Sequence, residues 1–239
     1  MKEDRYLQAA KAIFEDMTAG WNAPCGGMWW DKAHSYSGAI ENELFLAVAA
    51  QLANRVSTGE EHEHYLNWAL TQWDWFHQSG MINSKYTINN GLNLATCHND
   101  NGIVWSYNQG VILGGLVELH RAFPDPEYLI IADKIANAAI DHLSDSDSIL
   151  HEPCEPDCGN DGPQFKGIFM RNLQVLQAAQ PDERFRKFIR QNADSIWLKD
   201  RGSGDQLGLV WSGPFSGADA STQSSACDAL VAAMADDCA

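Results

Sequence analysis

The apolar residues of this chain recur at helical spacing almost from end to end. Leu7, Ala10, Ile13, Phe14 and Met17 predict a first helix that stops at Gly20. Ile40, Leu44, Ala47, Val48, Leu52 and Val56 predict a second, closed by Thr58-Gly59. Tyr65, Trp68, Ala69, Trp73 and Phe76 place a third over 60–77, ending at Gly80, and a fourth covers about 107–123 after an Asn-rich loop. Pro124-Asp125-Pro126 breaks the chain and starts a fifth through Ile131, Ile135, Ala138 and Leu143. After the loop 144–163, Phe165, Ile168, Phe169, Leu173 and Leu176 mark a sixth, and Pro181-Asp182 opens a seventh through Phe185, Phe188, Ile189 and Ile196. Asp219 or Ser221 caps an eighth through Ala226, Ala229, Leu230 and Ala233. Strand-like alternation is absent, apart from a short extended piece at 207–211.

Short connections would fold these helices into antiparallel hairpins, and the long ones carry Trp, Asn, Gly and Asp. That is the pattern of a toroid of helical hairpins, with a ligand groove where the long loops gather. No repeat of fixed period argues for a solenoid. Such a toroid closes with about twelve helices. The expectation is therefore a single all-α domain over 1–239, an incomplete toroid whose missing hairpins would precede the first helix.

Charge narrows the partners. Sixteen Lys and Arg against 32 Asp and Glu give a net charge of −16, which nucleic acid and anionic membrane surfaces would repel. No apolar run approaches the roughly 20 residues of a membrane span, and the opening Met1-Lys2-Glu3-Asp4-Arg5 is not a signal peptide. Cysteines at 25, 97, 154, 158, 227 and 238 favour disulfides and an oxidising compartment, although no Asn-x-Ser/Thr acceptor accompanies them. Cys154-x-x-x-Cys158 reads as a tight loop staple, since zinc would need a second ligand pair. His62 and His64 diverge by about 200° on a helix, and Asp145-Ser146-Asp147 lacks the glycine and distal glutamate of a calcium loop. No metal or cofactor is expected. Six cysteines allow fifteen pairings; Cys25–Cys97 and Cys154–Cys158 are the expected pairs, leaving Cys227 and Cys238 to tie the tail.

The richest stretch is Cys25-Gly26-Gly27-Met28-Trp29-Trp30-Asp31. Two glycines permit a tight turn, and adjacent tryptophans cannot both face one core. An indole beside glycine backbone suits the flat C–H face of a pyranose, and a core tryptophan next to a turn is the competing reading. Nine tryptophans, more than a core of this size needs, favour the first.

Further blocks accompany it: Ala39-Ile40-Glu41-Asn42-Glu43-Leu44-Phe45, Trp105-Ser106-Tyr107-Asn108-Gln109-Gly110, Asp161-Gly162-Pro163-Gln164-Phe165-Lys166-Gly167-Ile168-Phe169 and Gly208-Leu209-Val210-Trp211-Ser212-Gly213-Pro214-Phe215. In order and spacing these resemble glycoside hydrolase family 76, the endo-α-1,6-mannanases, and most closely its fungal branch. The resemblance implies an (α/α)6 barrel and retaining hydrolysis of α-1,6-mannosidic bonds, or transfer in some fungal members. It also implies α-mannan as substrate and an extracellular or cell-wall location. Family chemistry rests on two consecutive aspartates before an aromatic-rich helix, upstream of the Gly-Gly-x-Trp-Trp block. The only Asp-Asp here is Asp236-Asp237, which reads as a solvated tail, so no catalytic residue is assigned. By the family's pattern roughly a hundred residues would be missing at the N-terminus. The alternative is a catalytically inactive, mannan-binding or non-functional member. A sugar epimerase on a similar toroid would need catalytic histidines at helix ends, which the eight histidines do not supply.

The substrate-binding residues expected on this resemblance are Trp29, Trp30, Asn42, Trp105, Tyr107, Asn108, Phe165, Lys166 and Trp211. The aromatics have core packing as a competing role, and Asn42 has backbone capping. Glu41 and Glu43 diverge on their helix and cannot act as a pair; Glu43 reads as a first-turn dipole partner. Lys166 would reach mannosyl hydroxyls or pair with an aspartate of the absent pair, and without that partner would be a costly unpaired charge.

Overall fold

The computed structural model describes residues 2–237, with side-chain environments over 5–235. Its described residues form eight α-helices: α1 (Lys2–Thr18), α2 (Ala39–Ala53), α3 (Glu60–Gln78), α4 (Ser106–Ala122), α5 (Pro126–Leu143), α6 (Phe165–Ala179), α7 (Glu183–Lys199) and α8 (Ala220–Asp237). Among the described residues there is one small sheet. β1 (Leu92–Asn93) runs antiparallel to β2 (His98–Asn99), with Leu92 opposite Asn99.

Local chemistry sets the helix ends. Asp219, rather than Ser221, caps α8 by accepting the backbone N–H of Ser221 at 2.8 Å and of Thr222 at 2.9 Å. Asp182 does the same for α7, accepting from Arg184 and Phe185. α2 stops earlier than its apolar spacing suggests. Asn54 caps it, and the Asn54 amide turns aside to donate to the Glu118 carbonyl at 2.8 Å. The extended piece expected at 207–211 is reduced to a single bridge between Arg201 and Leu207.

The chain forms two compact units. Residues 1–103 and 115–131 make up the first; 104–114 and 132–239 make up the second. In the first, α2 packs on α1 and α3 around an aromatic core. Phe14 stacks on Phe45 at 4.9 Å between ring centroids and meets Tyr65 edge-on at 5.4 Å, while Phe45 meets Trp68 at 5.5 Å. In the second, α6, α7 and α8 pack together. Glycines bring its helices close: a Cβ on Gly167 would sit 2.6 Å from Ser225 Cα, and one on Gly110 would sit 2.6 Å from Phe169 Cα.

Disulfides join Cys25 to Cys97 and Cys154 to Cys158. Cys227 is an exposed free thiol. Cys238, its expected partner, lies outside the described residues, as do the side chains of Asp236 and Asp237.

Candidate functional site

In the first unit, Gly26 and Gly27 adopt positive φ of 81° and 73°. The Trp75 indole lies flat against them, its Nε1 donating to the Cys25 carbonyl at 2.9 Å. A Cβ on Gly27 would come within 2.6 Å of both Trp75 and Asn42 Oδ1. Asn42 is fully buried. Its Oδ1 accepts from Met28 N at 2.8 Å and Gln72 Nε2 at 3.1 Å, and its Nδ2 donates to the Gly38 carbonyl at 2.7 Å. Asn42 thus fixes the loop that presents the two tryptophans.

Those tryptophans differ. Trp29 is half-buried, stacks on His34 at 4.8 Å with rings 5° apart, and donates through Nε1 to Asn22. Trp30 is 58% exposed. Both line a pocket of about 430 Å³ with Asp16, Met28, Asp31 and His34. Ser35 donates twice to Asp31, from its hydroxyl at 2.7 Å and its N–H at 3.0 Å, and holds that carboxyl below its usual range.

The same unit contains a correction. Glu43 is not a first-turn dipole partner: it lies beyond the first turn of α2, whose acidic residue is Glu41, and it is fully buried with neither carboxyl oxygen hydrogen-bonded. Burial first, and then the charge of Glu41, raise it well above the ordinary carboxyl value. Glu41 accepts the Gly38 N–H, and burial pushes it up to about 7.

The second unit gathers a denser cluster. Trp105, Tyr107 and Phe165 are each half-buried. Trp105 meets Phe165 edge-on at 5.6 Å, and Tyr107 lies tilted against it at 4.2 Å. Next to Phe165, Lys166 is 1% exposed. It is not unpaired: its Nζ forms an ion pair with Glu155, donates to the Leu209 carbonyl at 2.6 Å and sits 4.5 Å from the centre of the Trp211 ring. Trp211 itself is fully buried.

Glu155 also accepts from the Glu152 N–H at 3.1 Å and bonds His151 Nδ1 at 2.7 Å, while His151 Nε2 meets Asp145 at 3.1 Å. Burial alone would raise Glu155, but His151 and Lys166 hold it below the usual carboxyl range. The Glu155 bond outweighs burial and raises His151. Glu152 accepts the hydroxyl and N–H of Ser106, and burial still pushes it up to about 7. Asp200 is fully buried with neither oxygen partnered, and burial raises it to about 7 in spite of Lys166. Asn108 is buried with its amide unpartnered. Among the described residues no group of His, Cys, Asp and Glu could hold a metal ion. His62 and His64 bond different groups, the Ala53 carbonyl and Glu15.

Comparison with known proteins fixes the family. The model of glycosyl hydrolase family 76 matches residues 1–239. The chain belongs to that family. A mannan endo-1,6-alpha-mannosidase of Candida albicans is 27% identical over 225 residues, 86% of this chain and 49% of the relative. One of Saccharomyces cerevisiae is 29% identical over 224 residues, 86% of this chain and 48% of the relative. The chain thus spans about half the length of the curated relatives it matches. A solved α-1,6-mannanase from Salegentibacter sp., an inactive variant with two aspartates replaced by asparagine, is in complex with α-1,6-mannotriose. It superposes with a TM-score of 0.83 at 22% identity, covering 98% of this chain and 70% of that one. The expected (α/α)6 helical barrel is the fold of which this family 76 chain covers part.

The family blocks explain which residues the structure brings together. Trp105, Tyr107, Phe165, Lys166 and Trp211 cluster in one unit; Trp29, Trp30 and Asn42 cluster in the other. Sequence reading missed Glu152, Glu155, His151 and Asp200. Glu152-Pro153-Cys154-Glu155 carried a usable signal, two carboxylates flanking a cysteine of the tight Cys154–Cys158 loop.

Proposed function

We propose that this protein is a glycosidase acting on α-1,6-linked mannan, with its partly exposed aromatic side chains as the sugar-binding surface. The observation that carries this is the family match through all 239 residues. Relatives at 27% and 29% identity, both named mannan endo-1,6-alpha-mannosidases, support the substrate class. The unbroken match also supports a single family domain. Retention at the anomeric carbon, through a carboxyl nucleophile and a carboxyl acid, is the mechanism we infer. An extracellular or cell-wall site of action follows from the substrate, and the two disulfides agree with an oxidising compartment.

A second reading, mannan binding without cleavage, draws on one observation. Trp30, 58% exposed and sharing a pocket with Trp29, can stack on a sugar face without any carboxyl group taking part. The 239-residue protein is to be incubated with α-1,6-mannan, with and without an acceptor oligosaccharide, and titrated with α-1,6-mannotriose by calorimetry. Release or transfer of oligosaccharides with retained anomeric configuration supports the glycosidase. Heat of binding without new products supports the second reading. No binding and no products remove both.

A further inference from the structure

We propose that Glu155 is a positioning residue for the wall of Trp105, Tyr107 and Phe165, a role that rests on the reading of that wall as a sugar-binding surface. Glu155 does not belong to the wall; its side chain is 7% exposed. It acts through two arms. Along the first, its carboxylate pairs with Lys166. Lys166 follows Phe165 in the first turn of α6, so anchoring its ammonium fixes the turn that presents the Phe165 ring.

Along the second arm, Glu155 accepts the backbone N–H of Glu152, and Glu152 in turn accepts from Ser106. Ser106 lies between Trp105 and Tyr107 and opens α4. One carboxylate therefore sets both the Phe165 side of the wall and the Trp105–Tyr107 side. The Cys154–Cys158 disulfide secures the loop that carries it, and Gly162, where the turn into α6 begins, packs on that disulfide with Cys154 Sγ only 3.4 Å from a Cβ placed there.

The network also has an outer end. His151 lies between Glu155 and Asp145 and lines an open pocket of about 340 Å³ with His142, Ser144, Asp145 and Glu152. The charged groups acting on it are Glu155, Asp145 and Lys166. Protons from solvent reach His151, and its charge bears directly on the carboxylate that holds both arms. The position of the wall is thereby coupled to the protonation of His151.

The test follows the indole ¹H–¹⁵N resonance of Trp105 across a pH titration, together with α-1,6-mannotriose affinity, in the wild type, Glu155→Gln and Ser106→Ala. The wild-type resonance is expected to carry a component that moves with the His151 imidazole resonance and persists in Glu152→Gln, which removes the other group on this path, raised to about 7. Glu155→Gln should abolish that titration, displace the resonance and weaken mannotriose binding about tenfold, near 1.4 kcal/mol. Ser106→Ala leaves the Glu155–Lys166 pair and the 3.4 Å Ser106 N–H contact to Glu152 in place but removes the hydroxyl bond, and should by itself at least halve the Trp105 shift that follows His151. This keeps the test decisive if Glu155→Gln fails to fold. A Trp105 resonance that follows His151 with undiminished amplitude in folded Glu155→Gln or folded Ser106→Ala overturns the proposal. If the resonances behave as expected but the wild type does not bind mannotriose, the positioning role stands and the sugar-binding reading falls.

Discussion

Glu152 offers a direct measurement of what its buried site does to a carboxyl group. The perturbation is Glu152→Gln, which keeps the shape and an oxygen to accept from Ser106 but removes the titration. Burial moves Glu152 from 4.5 to about 7. At about 1.4 kcal/mol for each tenfold change in proton affinity, that corresponds to about 3 kcal/mol. The sign follows from the direction. A carboxyl raised in the fold binds its proton more tightly there than in the unfolded chain. Its contribution is complete below about pH 4.5 and is lost as pH rises through about 7. Relative to Glu152→Gln, the wild type should therefore lose about 3 kcal/mol between pH 4.5 and pH 8. For a chain of this size that is roughly 6–12 °C in melting temperature. Urea unfolding of both proteins at closely spaced pH values reads the difference. Glu41, raised to about 7, and Glu43 belong to the other compact unit and cancel in the comparison. Parallel stability profiles, or a wild type that gains on Glu152→Gln as pH rises, would refute the reasoning.

Other perturbations separate the remaining parts. Gly27→Ala forces a Cβ to within 2.6 Å of Asn42 Oδ1 at a φ of +73°, and should cost at least about 2 kcal/mol in urea unfolding. Gly80→Ala, at a φ of +83° but with nothing within 4 Å, should cost only about 1 kcal/mol. Trp30→Ala should lower mannotriose affinity while leaving stability within about 0.5 kcal/mol, because Trp30 is 58% exposed. Trp29→Ala should destabilise measurably, since it loses the His34 stack and the Asn22 bond. Opening Cys25–Cys97, which spans 72 residues, should cost about 4 kcal/mol against about 2 for Cys154–Cys158, which spans 4. Serine pairs at each bridge, compared by thermal unfolding, check the order.

Much of the scaffold is written in apolar spacing, because a helix that buries one face must repeat that face every three or four residues. α5 and α3 begin where the sequence places them, at Pro126 and Glu60, since Pro and Gly act within one or two residues. The β1–β2 pair escapes such reading: two-residue strands have no period, and this pair is held by backbone bonds between loop segments. The polar network escapes for a related reason. Lys166 sits among Phe165, Gly167 and Phe169, a setting that announces burial, but its partner Glu155 is eleven residues away in a loop. Nothing local in a chain shows which of 32 acidic residues a buried cation will choose. The pairing required the fold.

The Glu152–Glu155 loop also sets where this chain can change length. Ser106 takes hold of Glu152, Lys166 takes hold of Glu155, and the Glu152 N–H closes on Glu155. One residue added between them would leave at most one of the two carboxyl groups in reach of its partner. The segment 216–218 has no such register to keep: its residues are exposed, and Gly217 has nothing within 4 Å of where a Cβ would lie. Insertions and deletions among natural versions of this unit should therefore accumulate at 216–218 and spare 152–155, whatever residues occupy those positions.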